Sequence, residues 1–305
     1  KEKKIELKKM NFKDFFFSYK LILKSIYRER LFFKAFRKIF NYPYKYLLYK
    51  TKIFFLIDKI NLDVDRPSSY LKDNVLKNTN DLKLDDFFIY FNSDKGSKVF
   101  WARKKIVKGH NYSDLYEKYF SRFKNKKNLK ILEIGSEFGS SAASFLNYFD
   151  SATVCCLDKN PFQIKYFSKK IRKIFVDTKS EEVLSDVSKY IKYNFDIIID
   201  DASHSKRDQI ITLNKFLPKL ENDGIYVVED TCEYLIHPVL NDDKLNYGIN
   251  EFLKGIIETG DHLSSYLDIS EKKKIQNSIK NINFEKGNFI YNNQSLPEIV
   301  FIEKK

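Results

Sequence analysis

The chain has 305 residues, of which 43% are hydrophobic, so it is long enough to bury at least one sizeable core. Its 55 basic and 41 acidic residues give a formal net charge of +14 at pH 7. Residues 1–130 hold 33 basic and 14 acidic residues, whereas residues 131–305 hold 22 and 27. The positive charge therefore belongs to the amino-terminal part, which weakens the case for nucleic acid as a partner of the whole chain.

The three cysteines, Cys155, Cys156 and Cys232, form neither a disulfide framework nor a zinc-site spacing. No apolar run approaches the roughly 20 residues that cross a bilayer, and lysines interrupt the apolar clusters near the amino terminus. We therefore expect a cytoplasmic protein, with a peripheral position on the inner face of the membrane as the alternative.

Residues 1–60 combine aromatic and aliphatic clusters with lysines and arginines, a pattern that predicts amphipathic helices. Two interpretations stay open for them. The helices pack on the main domain or on another subunit, or they lie on an anionic membrane surface. Pro67, Ser68 and Ser69 predict a linker. We expect residues 1–90 to form a basic, aromatic, helical accessory region.

From Lys130 onward, short apolar strands alternate with helical stretches. The predicted strands are 130–134, 153–157, 174–176, 195–199, 225–228, 281–285 and 299–303. The predicted helices begin near Ser140, Pro161, Glu181, Lys206 and Ile249. This alternation predicts an α/β fold with a doubly wound, Rossmann-like sheet that ends in an antiparallel strand pair. The order resembles that of class I methyltransferases, and we expect residues 91–305 to form the domain.

The first predicted strand leads into a turn of the kind that approaches a bound nucleotide. In that turn, Gly135 permits close approach of the backbone to a ligand, and Gly139 lets the next helix pack near the strand. The second strand ends at Asp158, where a carboxylate can accept hydrogen bonds from ribose hydroxyls, although a solvated strand-end residue is the alternative. The residues predicted to bind S-adenosylmethionine are Glu133, Gly135, Ser136, Gly139, Asp158, Asp177 and Asp200.

The fourth and fifth strands end in acidic residues. These are Asp200, Asp201, Glu229 and Asp230. The carboxyl ends of neighbouring parallel strands open into one crevice, where four carboxylates repel one another unless a proton or a cation intervenes. Oxygen ligands of this kind suit Mg²⁺ or Ca²⁺. His204 is close enough in sequence to serve as a general base, with a structural hydrogen bond as the alternative, and His110 could reach the same site.

Several segments resemble one enzyme family, the magnesium-dependent sugar O-methyltransferases of macrolide and polysaccharide biosynthesis. They are ILEIGSEFGSS, IIIDDASH, GIYVVEDT, SDKG at 93–96 and HNYSDLYEKYF at 110–120. The resemblance covers about residues 90–235 and implies that Asp201, Glu229 and Asp230 hold Mg²⁺ and that His204 is the base. Ala202 stands where relatives usually have glycine, and residues 231–234 depart from the family pattern.

The resemblance implies an S-adenosylmethionine-dependent, Mg²⁺-dependent O-methyltransferase that acts on a sugar hydroxyl of a glycan, a polysaccharide precursor or a glycosylated metabolite. Two alternatives remain: a methyltransferase acting on RNA or another small molecule, and a non-catalytic, membrane-associated scaffold. The expected partner is a sugar or glycan substrate. A homo-oligomer and a contact of residues 1–60 with an anionic membrane are left open, and nucleic acid is disfavoured because the chain shows no RNA-binding module.

Overall fold

A computed structural model describes most of the chain from residue 82 onward and two short segments before it. The described ranges are 12–28, 60–62, 82–101, 105–241, 247–258, 264–288, 290–296 and 298–305. Most of the predicted accessory region lies outside the described residues. Within these ranges, no helix is long and apolar enough to cross a bilayer.

The structure alternates helices with strands along the chain. The helices are α1 (Phe12–Arg28), α2 (Leu84–Phe91), α3 (Ser113–Phe120), α4 (Ser140–Tyr148), α5 (Glu181–Tyr190), α6 (Lys206–Phe216), α7 (Ile249–Glu258) and α8 (Ile269–Ser278). The strands are β1 (Ile60–Asn61), β2 (Lys98–Trp101), β3 (Lys105–Lys108), β4 (Leu129–Ile134), β5 (Ala152–Asp158), β6 (Tyr166–Phe167), β7 (Ile171–Phe175), β8 (Phe195–Asp200), β9 (Leu220–Val228), β10 (Ile279–Glu285), β11 (Ile290–Tyr291), β12 (Gln294–Ser295) and β13 (Ile299–Lys304).

Seven of the strands form one sheet in the order β10-β13-β9-β8-β4-β5-β7. The five strands from β9 to β7 are parallel, and β13 runs antiparallel to both of its neighbours. The register pairs Ile134 with Asp200 and Asp200 with Val228, so the carboxyl ends of β4, β8 and β9 lie level with one another. The predicted doubly wound sheet and its terminal antiparallel pair are confirmed.

Helices cover both faces of this sheet, so the central strands are apolar on both sides. Leu132 and Ile198 pack in an apolar cluster with α5, α6 and α7. Their neighbours Ile131 and Ile197 point to the other face and pack with α2, α3 and α4. This alternation follows from the two-residue period of a strand, and it fixes which side chains at the strand ends can face the crevice.

The segment after β5 differs from the prediction. The predicted helix near Pro161 is wrong, because residues 161–165 form turns and loop and lead into β6, which pairs in parallel with β1. Phe162, Ile164 and Tyr166 are buried and alternate with less buried residues. A two-residue period of burial is typical of extended chain, which explains why this segment does not form a helix.

The first described helix, α1, packs against the edge strand β7. The guanidinium of Arg172 holds the buried Asp14 carboxylate through two hydrogen bonds of 2.6 and 2.8 Å. Leu21 and Ile22 of α1 are buried in the same cluster as the sheet. The apolar side of α1 is therefore covered by the domain.

The expected domain boundary at residue 90 falls inside α2, which packs against α4. The rings of Phe88 and Phe145 meet edge to face with centroids 5.5 Å apart. Since residues 29–59 and 63–81 lie outside the described part, the division into 1–90 and 91–305 stays a prediction.

Candidate active site

A cavity of about 480 Å³ opens at the carboxyl edge of the sheet. Six predicted site residues line it: Gly135, Asp158, Asp177, Asp201, His204 and Asp230. A second cavity of about 280 Å³ shares Gly135 and Asp201 with the first and is also lined by the predicted Ser136. The described residues of the segment 93–116, which are 93–101 and 105–116 and which we call the lead-in segment, contribute to the lining of both cavities. The strand ends and the lead-in segment therefore line one site, which consists of these two adjoining cavities.

The glycine turn after β4 needs its glycines for packing. Gly135 has φ +92°, and a Cβ atom there would lie 1.9 Å from the carbonyl oxygen of Asp201. Gly139 has φ +78°, and a Cβ atom there would lie 2.6 Å from Cγ2 of Ile164. Only glycine permits both the left-handed backbone and these close approaches. The turn is thus fixed against β8 and the segment after β5, and Gly135 is exposed to the cavity.

Asp158, the last residue of β5, and Asp177, two residues beyond β7, both line the larger cavity. The carboxylate of Asp158 accepts backbone N–H groups of Glu137 at 2.8 Å and Asn160 at 2.6 Å. Burial raises the pKa of Asp158, and these two bonds oppose the rise. Asp177 forms an ion pair with Lys159 at 3.2 Å. A carboxylate has about four lone-pair positions, so Asp158 can accept further hydrogen bonds from a ligand.

The remaining predicted site residues do not line either of these cavities: Glu133, Gly139, Asp200 and Glu229. Glu133 is fully buried and accepts the hydroxyl of Ser141, while its Oε2 atom has no hydrogen-bond partner. Burial, reinforced by the adjacent charge of Asp201, raises the pKa of Asp200 well above its usual value. Glu133 and Asp200 are thus buried behind the residues that line the two cavities.

Three side chains meet at the mouth between β8 and β9. His204 Nε2 lies 3.8 Å from Asp201 Oδ1, and His204 Nδ1 lies 3.9 Å from Asp230 Oδ2. One ligand atom from each of the three residues lies within 4.8 Å of the others. His204 and Asp230 have left-handed backbones, with φ of 54° and 52°. This conformation costs about 1 kcal/mol per residue, and such strain is common at functional sites.

Glu229, the third predicted metal ligand, is held by other partners. Its carboxylate is 2% exposed and accepts the ammonium of Lys95 at 2.9 Å and the hydroxyl of Tyr116. The same ammonium also contacts Asp201 Oδ2. Burial alone lowers the pKa of Lys95, but the charges of Asp201 and Glu229 outweigh it and raise that pKa well above its usual value. The cluster therefore contains a permanent internal cation.

The lead-in segment also holds Asp230. The hydroxyl of Tyr112 lies 2.8 Å from Asp230 Oδ1 and 2.6 Å from Glu298 Oε1. His110 Nδ1 lies 3.5 Å from Asp230 Oδ1 and 3.7 Å from Glu298 Oε1. Burial lowers the pKa of His110, but the neighbouring carboxylates of Glu298 and Asp230 raise that pKa to about 10. This imidazole is therefore a cation at neutral pH.

Comparisons with known proteins point to one enzyme class. No protein-family model matches the chain. A curated relative from Streptomyces olivaceus, 8-demethyl-8-alpha-L-rhamnosyl tetracenomycin-C 2'-O-methyltransferase, is 27% identical over 128 residues, which are 40% of this chain and 33% of the relative. The corresponding 3'-O-methyltransferase, 8-demethyl-8-(2-methoxy-alpha-L-rhamnosyl)-tetracenomycin-C 3'-O-methyltransferase, from the same organism is 27% identical over 133 residues, covering 40% and 32%. The matched region spans about a third of the length of these curated relatives.

Solved structures decide the fold. MycE methyltransferase from the mycinamycin pathway, in complex with Mg, SAH and mycinamycin VI, superposes with a TM-score of 0.54 at 17% identity, over 79% of this chain and 63% of that one. Its complex with Mg and SAH gives 0.52 at 18% identity, over 73% and 54%. The chain has the class I methyltransferase fold. In open α/β sheets, ligands generally bind in the crevice at the carboxyl ends of the strands, which is where the two cavities described above lie.

The donor set at the mouth of this methyltransferase fold suits a divalent cation. Asp201 and Asp230 offer carboxylate oxygens, which Mg²⁺ prefers, and His204 Nδ1 is a buried nitrogen without a hydrogen-bond partner. A second group, His110, Asp230 and Glu298, also brings one ligand atom each within 4.8 Å. In that group the Tyr112 hydroxyl already bonds both carboxylates, so the first group fits a metal better.

Sequence reasoning assigned no role to four members of the cluster, Lys95, Glu298, Tyr112 and Tyr116. Lys95 lies in SDKG, a segment that resembles the family's lead-in to its first strand, and the resemblance assigned it no role. Glu298 precedes β13, where the sequence shows only a single acidic residue after Pro297. Neither position has a periodic or paired pattern, because loop and lead-in contacts are set by tertiary packing and not by local period.

Proposed function

We propose that the chain is an S-adenosylmethionine-dependent O-methyltransferase that methylates a sugar hydroxyl of a glycan, a polysaccharide precursor or a glycosylated metabolite, with Mg²⁺ as cofactor. The observation that carries this proposal is that Asp201, His204 and Asp230 share one cavity with Asp158 and Asp177. Residues that can bind a cation, and a histidine that can act as a base, thus face the same cavity as the residues proposed to bind the cofactor. The names of the curated relatives, which are sugar O-methyltransferases, support the acceptor class.

Some of the predicted cofactor-binding residues line the two cavities, and the others lie behind the cavity lining. We propose that Asp158 binds the ribose hydroxyls, that Asp177 lies at the adenine, and that Gly135 and Ser136 let the backbone approach the methionine part. Three further residues, Glu133, Gly139 and Asp200, act from behind the wall by fixing the strand ends on which these groups stand. Calorimetry with S-adenosylmethionine tests this assignment directly.

The metal role rests on Asp201 and Asp230, with Glu229 as the third residue of the acidic cluster. A bound Mg²⁺ would supply a Lewis acid that binds neighbouring hydroxyls and lowers the pKa of one of them. His204 takes the proton of that hydroxyl on its imidazole, and the flanking carboxylates of Asp201 and Asp230 stabilise the resulting positive charge. The hydroxyl oxygen then bonds to the methyl carbon, while the carbon–sulfur electron pair leaves with sulfur.

For the amino-terminal part we propose an accessory role within the domain. This proposal is supported by two contacts of α1: Leu21 and Ile22 are buried against the sheet, and Asp14 forms an ion pair with Arg172. The apolar side of α1 therefore packs on the domain. Deletion of residues 1–60 should lower the melting temperature or change the oligomeric mass. A truncation that instead loses binding to anionic vesicles with unchanged stability would favour a membrane role.

The experiment that tests the proposed function is a methyl-transfer assay with a panel of nucleotide sugars and glycans, combined with calorimetric binding of S-adenosylmethionine. Binding of the cofactor and methylation of a sugar acceptor are the expected results. Failure to bind S-adenosylmethionine would favour the non-catalytic scaffold, and methylation of RNA alone would favour the nucleic-acid alternative.

A further inference from the structure

A buried lysine divides the acidic cluster into two sides. Lys95 is 2% exposed, and its ammonium contacts Asp201 Oδ2 and lies 2.9 Å from the carboxylate of Glu229. The other oxygen of Asp201, Oδ1, faces His204, as does Oδ2 of Asp230. Asp201 therefore presents one oxygen to the lysine side and one to the histidine side.

The two sides differ in how their charges are balanced. On the lysine side, the ammonium and the Tyr116 hydroxyl both bond the carboxylate of Glu229, which is 2% exposed. On the histidine side, Asp201 and Asp230 line the large cavity and approach His204 without hydrogen-bonding to it. A buried carboxylate that already has a cation gains little from a second one, because like charges repel across a few ångströms.

The lead-in segment fixes the backbone around Lys95. The Lys95 carbonyl accepts the N–H of Tyr112 at 2.9 Å, and the N–H of Ser97 donates to the Asp85 carboxylate at 2.7 Å. Asp85 also accepts the hydroxyls of Ser97 and Ser113, each at 2.6 Å. The ammonium is therefore held in the cluster from a braced loop, unlike the mobile end of a surface lysine.

We propose that Lys95 is a positioning residue, a built-in cation that occupies Glu229 and one oxygen of Asp201 and so confines an exchangeable divalent cation to the side of Asp201 Oδ1, Asp230 and His204. The inference rests on the metal site of the proposed function and deepens it. It changes the ligand set implied by the family resemblance, because Glu229 becomes a partner of Lys95 and not of the metal.

The first test removes the built-in cation. Lys95→Met frees both carboxylates and removes a positive charge next to the site, so Mg²⁺ should bind about tenfold more tightly or better, measured by calorimetry on the full chain. The melting temperature of this variant should fall in chelator and recover with Mg²⁺, because the buried charges then lack another counter-ion. Lys173→Met is the matched control: Lys173 is also buried, donates to the Ile164 carbonyl, and should leave Mg²⁺ affinity unchanged.

The second test stands even if Lys95→Met does not fold. With Lys95 present, Glu229→Gln should keep Mg²⁺ binding within about tenfold of wild type, since Glu229 is not a ligand, whereas Asp230→Asn should abolish it. If the first variant folds, the double variant of Lys95→Met and Glu229→Gln should lose most of the gain in affinity. That coupling is a readout that loss of packing alone would not produce.

Three results would overturn the inference: unchanged or weaker Mg²⁺ binding in a folded Lys95→Met variant, loss of binding in Glu229→Gln as complete as in Asp230→Asn, or no Mg²⁺ binding in either the wild type or Lys95→Met. The first two results leave the proposed function standing, because binding of S-adenosylmethionine and methylation of a sugar are measured separately. The third result would also remove Mg²⁺ from the proposed function. A wild type that methylates a sugar but shows one of the first two results keeps the function and loses the role of Lys95.

Discussion

The sheet edge and the lead-in segment contribute opposite chemistry to the same site. The ends of β8 and β9 bring the carboxylates of Asp201, Glu229 and Asp230 together. The lead-in segment contributes the ammonium of Lys95 and the imidazole of His110, whose pKa is raised. It also contributes the hydroxyls of Tyr112 and Tyr116. Because the carboxyl ends of parallel strands lie side by side, acidic residues there come together even where no cation balances their charge. A second element must then stabilise these carboxylates. Variants of the sheet edge should therefore affect chemistry, and variants of the lead-in segment should mainly affect stability and cation binding.

The largest effect is expected at Asp201. Asp201→Asn removes a carboxylate that faces both Lys95 and His204, and loss of several kcal/mol of metal-assisted stabilisation corresponds to about a thousandfold lower kcat. Steady-state methyl transfer measures this, with calorimetry showing whether S-adenosylmethionine still binds. A variant with near-normal kcat would remove Asp201 from the chemistry.

His204→Ala should lose roughly 10² to 10⁴ in rate while it keeps cofactor binding, because general-base catalysis typically contributes that much. Raising the pH should partly restore the rate, since hydroxide can then take the proton. The pH–rate profile measures this rescue. A proportional loss at every pH would assign His204 a structural or ligand role in place of the base.

Asp158→Ala should weaken S-adenosylmethionine binding by on the order of 1 to 3 kcal/mol through lost charge-assisted hydrogen bonds. Calorimetry gives the number. Asp150→Ala, at an exposed position before β5, serves as the control. If the affinity of the folded Asp158→Ala variant equals that of wild type, the ribose contact must lie elsewhere.

On the lead-in side, Tyr112→Phe removes the hydroxyl that bonds Asp230 and Glu298, and should lower the free energy of unfolding by about 2 kcal/mol. Tyr247→Phe is the exposed control and should stay within about 0.5 kcal/mol of wild type. Chemical denaturation in chelator measures both. Equal stabilities for the two variants would mean that the sheet-edge carboxylates need no donor from this segment.

The smallest effect is a pH dependence at His110. Its folded pKa of about 10 lies above the ordinary value of 6.5, so its ion pair stabilises the fold fully below about pH 6.5. That stabilisation is lost as the pH rises through about 10. The difference in unfolding free energy between wild type and His110→Asn, measured in chelator, should therefore shrink between pH 6 and pH 10. A difference that stays constant over that range would exclude the charged pair.

The sheet edge and the lead-in segment also differ in how well they could be predicted from the sequence. All seven sheet strands were predicted from the sequence. The five parallel strands and the strand-end carboxylates follow from period and position, because a buried parallel strand shows an apolar run and ends where acidic residues begin. The predicted helix near Pro161 is wrong because the buried residues there follow a two-residue period, which is typical of extended chain. Helix α8 was missed although Asp268 and Glu271 form a capping box at its start.

Within the site, the sequence indicated Asp201, Asp230 and His204, which the structure brings within ligand distance of one another. It placed Glu229 with them by strand position and by the family resemblance, and the structure shows that this carboxylate bonds Lys95 and Tyr116. Partners more than 100 residues away in sequence leave no local pattern, so such pairing can be found only from the folded chain.

The most direct test of the account is methyl transfer to a sugar acceptor with Mg²⁺ and again in excess chelator, with S-adenosylmethionine binding measured in parallel. The account predicts that chelation abolishes turnover while cofactor binding stays largely intact, because the proposed cofactor contacts come from the ends of β4, β5 and β7 and the proposed cation site from the ends of β8 and β9. Equal turnover in excess chelator would contradict it, since the acidic cluster would then act without a metal.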